Sequence, residues 1–478
     1  MSDSLVKNSD ATGRSGKGAF ACYLRGRLAC SDSSITSPFA GMDGGKVKRQ
    51  RDVSQARPMR RYPRPPEACY YSRRYNTVNL PDLLDRDVVV IGGCGHVGLP
   101  LALAFADRGA RVAIYDLSEA AVALVNSGRM PFAEPGAGEV LHRVLDAGRL
   151  EASTDPAVVG TAEHVVVVIG TPVDEHLNPD QTAIPKALGG CVGYLHNGQL
   201  LVLRSTVFPG VTALVEKMVA GLGLEIEVAF CPERIAEGKA MTELFELPQI
   251  ISARSAAGTE RASRLFQRLT SKLVVMSPEE AELAKLFTNV WRYIKFATAN
   301  QLYMMANERG LDFERIRMGL TEDYPRAADM PAAGFAAGPC LFKDTMQLAA
   351  YNDNNFPLGH SAMAINEGLP LYVIHRLEQR FKLESMTVGI LGMAFKAGSD
   401  DIRSSLSYKL KRILEFKAGA VLCTDPYVTV DPGLLPLDEV IARSDVLVVG
   451  APHPDYQGLV TGKPAADIWD VLGHGVRI

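Results

Sequence analysis

The sequence predicts an α/β protein: two Rossmann-like, doubly wound parallel sheets joined by a central helical domain, behind a disordered N-terminal extension. Three observations carry that expectation. The apolar, β-branched run Asp87-Val88-Val89-Val90-Ile91 leads into Gly93-Cys94-Gly95-His96-Val97-Gly98, a helical stretch, a second strand and Asp116. Strand and helix patterns alternate again from Met386 onward, without a second glycine fingerprint. Between them, apolar residues recur at helical spacing over 278–310, after the start signal Ser277-Pro278-Glu279-Glu280. Alternating β and α patterns imply parallel sheets covered by helices. A chain of 478 residues is also too long for one ordinary core. The expected segments are an extension at 1–84, a dinucleotide-binding domain at 85–275, a helical domain at 276–383 and a second α/β domain at 384–478.

The extension is set apart by charge. Residues 1–75 hold 15 Lys/Arg against 6 Asp/Glu, a net of +9, while the remainder holds 36 against 48, a net of −12. The segment is rich in Ser, Gly, Pro and Arg and lacks sustained periodicity, which is the composition of a disordered tail. The run Lys46-Val47-Lys48-Arg49-Gln50-Arg51 has the charge to touch nucleic acid, but a solvated tail is the simpler reading, and no nucleic-acid partner is expected. The segment shares the Ser- and Arg-rich bias of a transit peptide without an evident amphipathic helix. No run of 18 apolar residues and no apolar signal core occur, so neither a membrane span nor secretion is expected. The eight cysteines are scattered without a CxxC, which argues against a disulfide framework or a zinc site and fits a reducing cytoplasm.

In the first domain, Gly93, Gly95 and Gly98 permit a tight turn that brings backbone N–H groups, with those of His96 and Val97, close to a pyrophosphate. The helix N-terminus adds a favourable dipole. Asp116 can accept hydrogen bonds from a ribose diol and would repel a 2′-phosphate, so NAD is favoured over NADP. Cys94, inside the loop, reads as a small filler. Two further strands, His164–Ile169 and Leu200–Arg204, end in Gly170-Thr171-Pro172 and Ser205-Thr206-Val207. Such turns line the ligand crevice of an open parallel sheet. After a strand at Glu227–Phe230, Glu233 and Glu237 stand four apart. On a helical turn they would share a face, at a cost in stability unless a cation or substrate lies between them. An exposed acidic turn is the alternative.

On the long helix, Lys285 and Asn289 are four apart and share a face. They suit stabilisation of a developing oxyanion, or else a snorkelling lysine beside a solvated amide. The run Gly338-Pro339-Cys340-Leu341-Phe342-Lys343-Asp344 places a thiol before a cation and a carboxylate. A nearby cation favours the thiolate, and a carboxylate can activate water, so a covalent intermediate could form and be hydrolysed. An inert buried thiol is the alternative. In the second α/β unit, a strand at Thr387–Gly392 is followed by Ala394-Phe395-Lys396 and Asp400-Asp401-Ile402-Arg403, placed to hold an anion, and a helix is expected over Ser404–Glu415.

Taken in order, these motifs resemble the UDP-glucose/GDP-mannose dehydrogenase family of nucleotide-sugar 6-dehydrogenases. The resemblance runs from about Asp87 to Ile478 and rests on the glycine loop, Glu134-Pro135-Gly136, Gly170-Thr171-Pro172, Ser205-Thr206-Val207, Pro232-Glu233 with Ala236-Glu237-Gly238, Glu246-Leu247-Pro248, Lys285 with Asn289, Gly338 to Asp344, and Ala394-Phe395-Lys396 with Asp401 and Arg403. It implies oxidation of a sugar C6 alcohol to a carboxylate with two NAD⁺ in turn, through a thiohemiacetal and then a thioester on Cys340. By the same resemblance, Asp344 is the water-positioning base. Lys285 and Asn289 steady oxyanions, and Lys285 is also a candidate base. Glu233, Glu237 and Thr206 lie near substrate and water. Thr171, Pro172, Thr206, Lys343 and Arg403 meet the cofactor. Glu237, Lys285, Asn289, Arg326, Gly338 and Lys396 meet the sugar nucleotide, with Arg326 reaching across a homodimer formed by the central helix. The departure Ile169-Gly170-Thr171-Pro172 bears on local cofactor contacts, and the departures Gly338-Pro339 and Phe342 resemble the branch acting on UDP-N-acetylhexosamines. A two-electron β-hydroxyacid-type dehydrogenase shares the Rossmann domain and the Lys-x3-Asn helix but needs neither Cys340 nor a second α/β domain. A non-catalytic NAD- or sugar-nucleotide-binding protein is the remaining alternative.

Overall fold

The computed structural model describes residues 84–174 and 179–475. All but the last residue of the expected extension therefore lies outside the described residues. The first sheet comprises β1 (Arg86–Ile91), β2 (Val112–Tyr115), β3 (Leu150–Ser153), β4 (Ala162–Val167), β5 (Leu200–Leu203), β6 (Glu227–Phe230), β7 (Gln249–Ala253) and β8 (Leu273–Val275), in the spatial order 3-2-1-4-5-6-7-8. Neighbours are parallel except β6 and β7, which run antiparallel. That reversal departs from a wholly parallel sheet, and β3, β7 and β8 carry too little apolar periodicity to be read from the sequence.

Around this sheet lie α1 (Gly98–Asp107), α2 (Glu119–Asn126), α3 (Ala137–Asp146), α4 (Ala183–Gly189), α5 (Val211–Gly221), α6 (Ala240–Glu246) and α7 (Ala256–Gln267). The alternating pleat sends Val88 and Val90 to one face, against Leu99, Phe105 and Phe266, and Val89 and Ile91 to the other, against Val165, Leu201 and Val215. Both faces are covered, so the strands read as continuous apolar runs. Strand order reverses between β1 and β4, and the turns after those two strands flank the resulting crevice.

The 31-residue helix α8 (Pro278–Glu308) starts at a capping box in which Ser277 and Glu280 satisfy each other's backbone N–H groups. After α9 (Phe313–Thr321) come α10 (Leu341–Tyr351) and α11 (Pro357–Glu378), which pack on α8. The covered face of α8 carries Lys285, Asn289, Tyr293, Asn300 and Tyr303, while Phe287, Trp291 and Met305 are exposed.

The second sheet is parallel, in the order β10 (Ala420–Thr424), β9 (Thr387–Leu391), β11 (Val446–Val449), β12 (Ala465–Ala466), with α12 (Leu406–Lys417) and α13 (Leu437–Arg443) packed on it. Helix α12 starts two residues later than expected. Ser404 adopts a positive φ of 53°, and the Ser405 hydroxyl caps Ser407 N–H, so the turn closes there. Among the described residues no helix is long and apolar enough to cross a membrane, and Cys94, Cys191, Cys231, Cys340 and Cys423 are free thiols.

Candidate active site

The glycine loop is built from its immediate surroundings. A Cβ on Gly93 would meet the Ile114 side chain at 2.7 Å, and one on Gly98 would meet Gly92 O at 2.5 Å and Gly93 Cα at 2.7 Å, so strand and helix approach this closely only through glycine. Gly95 has open space around it, its nearest contact from a Cβ being Gly92 O at 3.7 Å. Val97 is the N-cap of α1 and has no side chain capping the first turn. Asp116, just past β2, accepts Cys94 N–H with Oδ2 and Ser118 N–H with Oδ1, both at 3.0 Å. Uncapped helix N–H groups, a cradle with room at Gly95 and an acid at the tip of β2 fit a dinucleotide. The Cys94 thiol is buried and pushed up to about 12 by that burial and by Asp116, which leaves it protonated and inert. The Thr171 hydroxyl donates to Thr206 O at 2.6 Å and ties the turns after β4 and β5 together, beside Pro172.

Cys340 is the N-cap of α10, at the positive end of an 11-residue helix, a feature the sequence reading did not include. Asp344, one turn on, is fully buried, and its backbone N–H bonds Cys340 O at 2.9 Å. Its carboxylate accepts Asn289 Nδ2 at 2.5 Å and lies 2.6 Å from Lys343 Nζ. Asn289 thus holds the carboxylate, and Lys343 pairs with it. Lys285 is buried on the same face of α8 as Asn289 and makes no hydrogen bond or ion pair among the described residues. Burial pushes its ammonium down from the ordinary lysine range, against the charges of Asp344, Cys340 and Glu233.

The thiol of Cys340 is not lowered as its sequence neighbours suggest. Burial and then Asp344 push it up, outweighing Lys285, Lys343 and Arg403. The side chain still has exposed surface.

Glu233 and Glu237 correct a second expectation. Residues 231–237 form no helix, and the two carboxylates do not share a helical face. Glu233 pairs with the fully buried Arg204 and caps its own loop by accepting Arg234 N–H at 2.6 Å and Ile235 N–H at 3.0 Å. Glu237 instead reaches the second α/β domain. It accepts the Ser399 hydroxyl at 2.9 Å and lies 3.9 Å from His96 Nδ1 and 3.8 Å from Arg403, and its backbone carbonyl accepts Lys396 Nζ. Glu134 braces that loop by accepting Gly238 N–H and Ala240 N–H, both at 2.8 Å. Arg403 also pairs with the buried Asp401, which raises its guanidinium further, whereas burial lowers Lys396. The His96 ring stacks on Phe132, its centroid 4.0 Å away.

Cys340, Lys285, Asn289, Lys343, Asp344, Glu233 and Arg403 therefore converge, Glu237 joins them through Arg403, and Lys396 is held on the Glu237 carbonyl. Arg326 does not converge. It is exposed, stacked on Tyr324 and donating to its hydroxyl at 2.8 Å. Arg204 and Ser399 were not among the expected site residues. A charged residue ending the apolar strand Leu200–Leu203 was the available signal for Arg204. A cleft of about 840 Å³ adjoins the cysteine loop, lined by Ala337, Gly338, Phe342, Ser404, Lys409 and Arg412.

A dinucleotide crevice beside a Cys-Lys-Asp cluster, closed by a second α/β domain, defines an NAD-dependent nucleotide-sugar dehydrogenase. The chain belongs to the UDP-glucose/GDP-mannose dehydrogenase family: models of its NAD binding domain, central domain and UDP binding domain match residues 86–270, 279–368 and 389–473. It is similar to the UDP-N-acetyl-D-mannosamine dehydrogenases of Yersinia pestis (28% identical, covering 78% of this chain and 95% of the relative) and Escherichia coli strain K12 (28%, 80% and 97%). Among solved structures it resembles a UDP-glucose dehydrogenase of Pyrobaculum islandicum (28% identical, TM-score 0.75, covering 80% of this chain and 94% of that one) and the UDP-D-ManNAc dehydrogenase of Pyrococcus horikoshii (26%, TM-score 0.74, 80% and 93%).

Proposed function

We propose that this protein oxidises the C6 alcohol of a UDP-sugar to the carboxylate in two steps on one site, with Cys340 holding the intermediate and a UDP-N-acetylhexosamine as the substrate. The observation that carries the reading is the convergence of an exposed thiol, a buried lysine with a lowered pKa and a buried carboxylate at the N-terminus of α10. NAD⁺, which the 93–98 loop and Asp116 would hold, would supply the hydride acceptor for each oxidation, two per sugar. Lys285, favoured towards its neutral form by burial, accepts the hydroxyl proton of the alcohol. As an ammonium it then stabilises the oxygen that becomes negative when the Cys340 thiolate, its proton lost to solvent, bonds C6 of the aldehyde, and it returns its proton to that oxygen, which gives the thiohemiacetal hydroxyl and a neutral lysine again, with Asn289 aligned beside it. Loss of the thiohemiacetal's hydroxyl proton to the same lysine accompanies the second oxidation and leaves a thioester. Asp344, held by Asn289 and Lys343, takes a proton from water as the water oxygen attacks the thioester carbon. The C–S bond breaks, and Cys340 leaves as thiolate, stabilised by the helix N-terminus.

The cleft beside Gly338 falls within the size range of small-ligand sites, and Arg412 supplies a cation there, while Lys409 is paired with Glu367 on the same wall. The match to a UDP binding domain supports a UDP-sugar. The acetylated sugar is supported by the curated relatives and by the sequence departures at Pro339 and Phe342. The exposed Phe287, Trp291 and Met305 on α8 support a homodimer through that helix, which would carry Arg326 to the neighbouring site. The test is to count NADH released per sugar consumed, with UDP-ManNAc, UDP-GlcNAc, UDP-GalNAc, UDP-glucose and GDP-mannose. Two NADH per sugar with a UDP-N-acetylhexosamine is the expected result. One NADH with an aldehyde product overturns the four-electron reading.

A further inference from the structure

We propose that Asn300 and Trp469 are positioning residues that set the depth of Cys340 in the site, so that the cysteine loop is held jointly by the long helix and by the second α/β domain; this rests on the reading of Cys340 as the nucleophile. Asn300 is fully buried on α8, and it grips one residue of the loop by both of its backbone polar groups. Its Oδ1 accepts Gly334 N–H at 2.8 Å, and its Nδ2 donates to Gly334 O at 3.0 Å and to Asn366 Oδ1 at 2.9 Å. Asn366, also fully buried, donates in turn to Tyr293 O at 3.0 Å. Because Gly334 N–H can only donate, the carboxamide of Asn300 has one possible orientation, and an amide is needed to both accept and donate there.

The opposite side of Gly334 is closed by Trp469. Gly334 has φ +155°, and a Cβ there would lie inside the Trp469 ring. The next residue, Phe335, packs edge-on against the same ring, with centroids 6.2 Å apart. The Trp469 indole N–H is buried without a hydrogen-bond partner among the described residues, so shape rather than hydrogen bonding seats it. A second pin follows at Gly338, φ +98°, whose N–H donates to Ser404 O at 3.3 Å and whose Cβ would meet the Phe395 ring at 2.7 Å. Trp469, Phe395 and Ser404 all belong to the second α/β domain. Five residues separate Gly334 from Cys340, and the helix capped by Cys340 fixes the far end. With both ends held, the sulfur has little freedom in height over the cleft. Displacement of a reacting group by about 1 Å can cost about a hundredfold in rate.

Asn300→Asp keeps the size of the side chain and an acceptor for Gly334 N–H but removes both donated bonds. Trp469→Phe leaves space over Gly334 and is the milder variant if the first fails to fold. For each, kcat, KM for the sugar nucleotide and for NAD, thermal midpoint and the rate of iodoacetamide alkylation of Cys340, read by peptide mass spectrometry, are compared with the wild type. The expected result is a kcat at least about tenfold lower, with both KM values within about threefold and the alkylation rate of Cys340 changed. Unchanged kcat and alkylation in a folded variant overturns the proposal. So does a loss of kcat matched by an equal rise in both KM values, which is the mark of general loosening. The alkylation rate reports loop position whether or not Cys340 is the nucleophile, whereas acid formation by Cys340→Ser overturns the covalent reading alone.

Discussion

The glycine loop at 92–98 and the cysteine loop at 333–340 are the two turns of the proposed site, and they are held in different ways. The first is fixed mainly by near neighbours in sequence, Ile114, Asp116 and the loop's own glycines, with one distant contact where Gly92 lies against the Val168 carbonyl after β4. The second is fixed from far away, by Asn300 on α8 and by Phe395, Ser404 and Trp469 on the second α/β domain. A locally built loop needs little beyond its βαβ unit and the adjoining end of β4. A loop built from distant parts can form only once those parts have met, which ties the thiol's geometry to the closure of the molecule around it.

Three substitutions and one deletion separate the two loops, in falling order of effect. Cys340→Ser removes the soft nucleophile and is expected to lower acid formation more than about a thousandfold while leaving NAD binding unchanged, measured by product analysis and NAD titration. Lys285→Arg keeps the positive charge but cannot accept a proton, and a loss of about 10²–10⁴-fold in kcat is expected. The pH profile checks its role. Lys285 acts as a base when neutral, so wild-type activity falls as pH drops through its lowered pKa. The variant should lose that limb and retain the dependence on Cys340, whose raised pKa also makes activity rise with pH. Gly98→Ala places a methyl group against Gly92 and Gly93. At about 1–3 kcal/mol of overpacking, KM for NAD should rise roughly five- to 150-fold, and Cys340 alkylation should not change. Deleting residues 1–75, which precede the family match at 86, should change kcat less than about twofold. A large change in any readout assigned to the other loop would break the comparison.

The chemistry of the site was legible as residue types, and its contacts were not. Lys285 with Asn289, Cys340 with Asp344, and the glycine loop with Asp116 are each separated by at most 23 positions, and local spacing suffices to name them. Spacing failed where a partner lies far along the chain. Glu233 and Glu237 look like a helical acidic pair, yet one closes on buried Arg204 and the other on Ser399. Cys340 follows the same pattern: its basic neighbours suggested a lowered pKa, and packing raised it, because the cost of burying the thiolate exceeds what the nearby cations return.

The sequence alone determined two α/β units, a long helix between them, a dinucleotide loop favouring NAD and the nucleophile to suspect, because each is written in contiguous periodicity or short-range spacing. The tertiary structure decided the antiparallel turn of β7, the separate engagements of the two glutamates, the burial that lowers Lys285 and raises Cys340, and the grip of Asn300 and Trp469 on the cysteine loop. Those are contacts between segments far apart in the chain, and desolvation and shape complementarity come into being only when the segments meet.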